Sequence, residues 1–161
     1  MANVLVSYYS RGGNTAAIAR AIAAGAKSVR GTEVKLRPVK STSLRDLKWA
    51  DAIVLGSPTY YGVMAAEVKR LLDKSVEIHG SLQGKLGAAF TSSGGSASGA
   101  ETTLMSMLEA MLIHGMIVFG DASTQHYGVA VEGRPKGKHV KDCKDRGKRI
   151  AELAVRLTEV R

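Results

Sequence analysis

Three short stretches hold most of the residues that could do chemistry. Ser10-Arg11-Gly12-Gly13-Asn14-Thr15 packs amides, hydroxyls and a side-chain amide into one loop. Gly12 and Gly13 let the chain turn tightly and present N–H groups. A helix starting at about Thr15 adds free amides and the positive end of its dipole. Such a nest suits a phosphate. Pro58-Thr59-Tyr60-Tyr61-Gly62 sets two adjacent tyrosines in a chain with only five Tyr, two Phe and one Trp. Aromatic rings at a pocket mouth can stack on a planar ligand. Ser92-Ser93-Gly94-Gly95, continuing to Gly99, allows close backbone approach and offers N–H groups to a ring edge that bears acceptors.

Each stretch has a plainer reading. The first is also a helix cap, with Asn14 or Thr15 as the capping residue. The second is also a loop packed on its neighbours, and the third a flexible linker. The first loop lacks both the G-x-x-x-x-G-K-[ST] and the G-x-G-x-x-G patterns, so nucleotide hydrolysis and a Rossmann-type dinucleotide site lose support.

What the loops can do depends on what carries them. Val4–Tyr9, Asp51–Gly56 and Lys85–Ser92 are apolar runs that read as buried strands. Glu33–Val39 alternates and ends near Pro38, which confines it to an edge or a strand end. Gly115–Gly120 reads as a fifth strand. Ile18, Ala21, Ile22, Gly25 and Val29 recur at helical spacing, as do Val68, Leu71, Leu72 and Val76. Leu104, Met107, Leu108, Met111 and Leu112 mark a third helix, and a fourth runs from about Val140. Leu44–Ala50 reads as a helical turn at most. Alternating strands and helices predict an α/β fold with a five-stranded parallel sheet in order 2-1-3-4-5. Ligands bind such sheets at the carboxyl ends of the strands, near the switch point. The three loops follow strands one, three and four, so they converge on that edge.

The bulk numbers narrow the field. A chain of 161 residues, 45% hydrophobic and 23% charged, fits one globular domain spanning 1–161. No apolar run approaches the ~18 residues of a membrane span. Met1-Ala2-Asn3-Val4 enters a strand pattern at once, so no signal peptide is expected and the cytoplasm is the expected compartment. Cys143 is the only cysteine, on an apolar helical face, which points to a buried, inert thiol. His79, His114, His126 and His139 lack metal-ligand spacing, so no metal is expected. The net charge is +9, and from Arg134 onward ten Lys or Arg face four Asp or Glu, a local +6. That tail has no aromatic interleaving, so it reads as a solvated helix face rather than a specific nucleic-acid site.

A phosphate nest at one end and stacking rings at the other describe a mononucleotide site, with flavin mononucleotide (FMN) the leading case. At this point a resemblance is explicit. Val4–Thr15, Gly56–Gly62, Phe90–Gly95 and His114-Gly115-Met116 are similar to the flavodoxin-like FMN-binding family. The likeness is strongest to short flavodoxins and to the tryptophan-repressor-binding-protein type of NAD(P)H:quinone oxidoreductase.

The resemblance implies roles. Ser10, Arg11, Gly12, Gly13, Asn14 and Thr15 match the FMN-phosphate loop. Pro58, Thr59, Tyr60, Tyr61 and Gly62 match the loop lining the isoalloxazine. Ser92, Ser93, Gly94 and Gly95 match the loop at the pyrimidine edge. His114 matches a histidine near the flavin mouth, Tyr127-Gly128 resembles a Tyr-Gly of the last loop, and His114 and Tyr60 are the catalytic candidates. His114 also reads as a plain helix C-terminal residue. The chain lacks the long insertion of quinone reductases between the second and third strands, and that of larger flavodoxins in the fifth. The expected function is a redox flavoprotein, an NAD(P)H-dependent quinone oxidoreductase. Its alternatives are a flavodoxin-type electron carrier and a flavin-free binding module. Expected partners are a small-molecule acceptor or a redox protein, with a homodimer compatible.

Overall fold

The computed structural model describes residues 1–159. The chain alternates strands and helices as β1 (Ala2–Tyr8), α1 (Asn14–Lys27), β2 (Thr32–Pro38), α2 (Leu44–Trp49), β3 (Ala52–Pro58) and α3 (Ala66–Lys74). It continues as β4 (Leu86–Ser93), α4 (Ala100–Ile113), β5 (Ile117–Val118), β6 (Val129–Glu132) and α5 (Lys138–Glu159). All strand pairs are parallel, in the order β2-β1-β3-β4-β5.

Period-two alternation in the strands feeds two cores. Val4 and Val6 of β1 and Val54 of β3 face α1 and α5, where Ile18, Ile22, Cys143 and Ile150 are buried. Leu5, Ile53 and Leu55 face the other way, onto Val68, Leu71, Leu104 and Met107 of α3 and α4. Helices therefore cover both faces, as a parallel sheet requires. Pro38 closes β2 opposite Tyr8, on the edge strand where a missing donor is tolerated.

Two readings are corrected. Leu44–Trp49 is a true helix, because Ser43 and Asp46 form a reciprocal capping box at its start. The fifth strand is not one run over Gly115–Gly120. Ile117–Val118 pairs with Leu86–Gly87, residues 119–128 loop out, and Val129–Glu132 rejoins β4 opposite Phe90–Ser93. The long insertion is absent, but the strand is broken all the same. Among the described residues no helix is long and apolar enough to cross a membrane.

Helices α1 and α5 make close backbone contact. A Cβ on Gly25 would lie 1.9 Å from the Lys144 carbonyl oxygen, and one on Gly147 2.0 Å from that of Ile22. Both glycines are buried, and backbone cannot yield as a flexible side chain can. Gly147→Ala is therefore expected to force the two helices apart and to lower the unfolding free energy by about 2–3 kcal/mol. Urea denaturation checks this. A loss within error of zero would show that the two helices can separate at no cost.

Candidate functional site

The carboxyl edge of the sheet is where the first three loops meet, and hydrogen bonds lock them together. The Tyr9 amide donates to the Gly56 carbonyl at 3.0 Å, tying the first loop to β3. The Thr59 amide donates to the Ser92 carbonyl at 2.8 Å, and the Thr59 and Thr91 hydroxyls pair at 2.9 Å. Thr15 Oγ1 and Ser92 Oγ, both buried, lie 2.8 Å apart and join the first loop to the third. The structure thus brings together Ser10–Thr15, Pro58–Gly62 and Ser92–Gly95.

The start of α1 is open. Neither Asn14 nor Thr15 caps it. Gly13 is the N-cap at φ +89°, it makes no side-chain cap bond, and the first turn holds no acidic residue. A left-handed N-cap favours glycine because any Cβ is strained there. The Ser10 hydroxyl accepts from the Gly13 amide at 3.1 Å and fixes the turn. The first amides of a helix have no partner within it. With no side chain supplying one, they and the dipole are left for an anion. The Thr15 hydroxyl is taken up by Ser92.

The second loop is a tight reversal. Tyr60 and Val63 exchange both backbone hydrogen bonds at 3.1 Å. Tyr61 (φ +50°) and Gly62 (φ +77°) sit between them, as a type I′ turn demands. The Tyr61 side chain is fully exposed and Tyr60 partly so. Tyr60 meets Tyr9 edge-on, with ring centroids 6.5 Å apart. In the third loop Ser93 Oγ donates to the Gly95 carbonyl at 3.0 Å. Gly99 approaches Gly62 so closely that a Cβ on it would meet the Gly62 Cα at 2.7 Å.

Two expected residues lie elsewhere. His114 follows α4, which starts at the third loop and carries the chain about 20 Å down to the opposite edge of the sheet. There His114 is buried against Ser75 and His79. Ser75 Oγ lies 2.6 Å from the Leu72 carbonyl and 2.7 Å from His114 Nε2. A hydroxyl has one proton, so this network assigns the imidazole proton to Nε2 and leaves Nδ1 bare and unpartnered. His114 is therefore a packed helix-end residue, remote from the three loops. Tyr127 is half exposed just before β6, beside β4 at the level of Ala89, below the edge where the loops lie.

Sequence reasoning missed the loop after β6. The Gly133 amide donates to the Ser93 carbonyl at 2.8 Å, bringing exposed Arg134 and Lys136 up beside the third loop. The alternating Val129-Ala130-Val131 was its only signal. Part of the basic tail thus stands at the site. Among the described residues the others lie along α5, where Lys141 and Lys148 pair with Asp145 and Glu152, and Arg149 with Asp121. Cys143 is buried, which raises its thiol pKa to about 11 and keeps it inert.

Known proteins resemble this chain along most of its length. The profile of the NADPH-dependent FMN reductase family matches residues 41–128. A flavodoxin of Aquifex aeolicus is 39% identical over 160 residues, 94% of this chain and 86% of its own. An NAD(P)H dehydrogenase (quinone) of Archaeoglobus fulgidus is 34% identical over 98% of this chain and all of its own. The solved structure of an archaeal flavodoxin superposes with a TM-score of 0.80 at 31% identity, covering 95% of this chain and 99% of its own.

The placement of His114 has a pH consequence. Burial, and then the neighbouring His79, hold its pKa below the usual value. The unfolded chain takes up that proton near pH 6.5 while the folded one resists, so stability falls as pH drops. The unfolding free energy is expected to fall between about pH 7 and about pH 5, and less steeply in His114→Gln. Equal slopes in urea titrations of the two proteins would contradict a buried neutral imidazole.

Proposed function

The chain belongs to the NADPH-dependent FMN reductase family, and from that premise we propose an FMN-dependent oxidoreductase. It takes electrons from NAD(P)H and passes them to a quinone or similar acceptor. The observation that carries the reading is the open start of α1. Amides with no partner, a left-handed glycine cap and no acidic residue in the first turn of the helix fit a phosphate group.

In this reading Ser10, Gly12, Gly13 and Asn14 hold the phosphate, with Arg11 supplying the nearest cation. Pro58, Thr59, Tyr60, Tyr61 and Gly62 line one side of the flavin, with Tyr60 braced by Tyr9. Gly94 and Gly95 offer amides to the polar ring edge, since no acceptor takes them among the described residues. Thr15, Ser92 and Ser93 position these loops from beneath. The bound flavin supplies hydride acceptance and donation; the protein holds and tunes it. Exposed Arg11, Arg134 and Lys136 set positive charge around the site, which favours an anionic reduced ring over a neutral one. Tyr60 stays a candidate for contact with the reacting ring, and His114 has no part in the chemistry.

The relative named flavodoxin supports a second reading, a carrier that passes electrons between proteins. Steady-state assay with NADH or NADPH and a benzoquinone separates the two. Turnover is expected; FMN bound without turnover favours the carrier. Failure to take up FMN at micromolar concentration would leave only a binding module.

Gly12→Asp tests the phosphate loop. The Gly12 φ lies outside the left-handed region and a Cβ there meets nothing within 4 Å, so the variant should fold. Its carboxylate stands against the phosphate, and FMN affinity is expected to drop about tenfold or more. An unchanged Kd by flavin fluorescence titration would remove this loop from the site.

A further inference from the structure

The segment between β5 and β6 closes over α5 and leaves a pocket of about 210 Å³. Its lining includes Asp121, Gln125, Val129, Asp142, Arg146 and Arg149, and no residue of the three loops at the sheet edge. It is therefore separate from the flavin site. The loop wall is fixed by its own hydrogen bonds. The Asp121 amide donates to the His126 carbonyl at 3.1 Å, the Gly128 amide to the Gln125 carbonyl at 3.0 Å, and Gln125 Nε2 to the Ala130 carbonyl at 3.1 Å.

Arg146 is the unusual group in this lining. It is only 7% exposed. Its Nη2 donates to the Phe119 carbonyl at 3.1 Å, but Nε and Nη1 make no hydrogen bond. Among the described residues the one carboxylate within ion-pair distance is Asp121, 3.6 Å from Nη1. Asp121 is already spent. Its Oδ1 accepts from the Ser123 amide and hydroxyl, and its Oδ2 from Arg149 at 2.8 Å. Burial lowers the Arg146 pKa, and Asp121 only partly offsets that. A buried guanidinium with N–H groups left over is costly until an acceptor meets them. Asp142 is its counterpart. It stands one turn before Arg146, at the i, i+4 spacing at which helical ion pairs form. The two do not pair, and Asp142 makes no hydrogen bond or ion pair among the described residues. The other charges of the lining are matched, Arg149 with Asp121 and Asp145 with Lys141.

The pocket thus offers one unspent cation and one unspent carboxylate. A simple anion meets Arg146 but faces Asp142, and a simple cation meets Asp142 but faces Arg146. A ligand that carries both charges close together answers both. The volume lies below that of sites for drug-sized ligands. Gly128 and Val129 are the only non-polar residues in the lining, so a long apolar side chain finds no wall to pack on. We propose that this pocket binds a small α-amino acid of the size of glycine, alanine or serine, with its carboxylate on the Arg146 guanidinium and its ammonium on Asp142. The proposal goes beyond the oxidoreductase reading and does not depend on it.

Calorimetric titration of the full chain with L-serine, with acetate and with ethylammonium tests it directly. L-Serine is expected to bind with a Kd of about 1 mM or tighter. Acetate and ethylammonium carry one charge each and are expected to bind about tenfold more weakly or worse. Asp142→Asn removes the ammonium partner and leaves every hydrogen bond of Arg146 in place. It is expected to weaken L-serine about tenfold. Arg146→Met keeps the bulk of the side chain, removes the carboxylate partner and is expected to abolish binding, with circular dichroism checking the fold. If that variant does not fold, Asp142→Asn decides alone. No binding of L-serine up to about 10 mM, acetate or ethylammonium binding as tightly as L-serine, or an unaltered Asp142→Asn would each overturn the proposal. The first of these would leave water as the acceptor for Arg146. The titration reads no flavin signal, so a chain that fails as an oxidoreductase still gives a clear result here.

Discussion

The first turn of α1 points its unpaired amides at the carboxyl edge of the sheet, and most of what surrounds it serves to keep it there. A helix end with no cap is a cost to the fold, since buried or half-buried N–H groups want acceptors. Here Gly13 turns the chain into the helix from the left-handed region, so no side chain reaches back to satisfy those groups. The helix is then clamped from behind. Gly25 and Gly147 allow α5 to lie backbone against backbone on α1, and Ile18 and Ile22 are fully buried between that helix and the sheet. Burying each such side chain contributes about 1.5–3 kcal/mol, ample to hold an uncapped terminus in place.

From that fixed point the other loops follow by short links. Thr15 reaches under the sheet edge to Ser92, and Ser92 in turn accepts from Thr59. A single buried chain of hydroxyls and carbonyls therefore sets the spacing of all three loops. Above it the side chains face open space: Tyr61 stands fully exposed on its tight turn, with glycines lining the opposite wall. A rigid base with an accessible rim fits a cofactor held at its phosphate and approached at its ring. The cations add a second layer, with Arg11 shared between the phosphate loop and a cleft along α3.

Much of this was legible in the sequence for definite reasons. Unbroken apolar runs such as Ile53-Val54-Leu55 read as buried parallel strands, and Pro38 was confined to an edge or a strand end; it takes both places, as the last residue of the edge strand β2. Once the strand order was set, the polar stretches after β1, β3 and β4 had to share one edge. Other features were hidden. A strand of two residues, Ile117–Val118, has no period to detect, so the break before Val129 went unseen and with it the loop at Gly133. The place of His114 was not legible, because the resemblance gives no direction to the helix before it; α4 runs away from the three loops and ends against Ser75. The cleft along α3 was unreadable because Arg11, Lys40 and Arg70, which line it, are separated by tens of residues, and only the packing of α3 beside β1 gathers them. The tail charge was read as a solvated helix face, yet the return of β6 brings its first members to the third loop.

The central claim is that this chain holds its ligand chiefly by a phosphate in an uncapped helix nest. The most direct measurement compares the dissociation constants of FMN and of riboflavin, which share the ring and differ by the phosphate, for the same protein by fluorescence titration. FMN is expected to bind about a hundredfold tighter or more, with the gap carried by charge-assisted hydrogen bonds to the nest. Equal affinities for the two flavins would contradict the account.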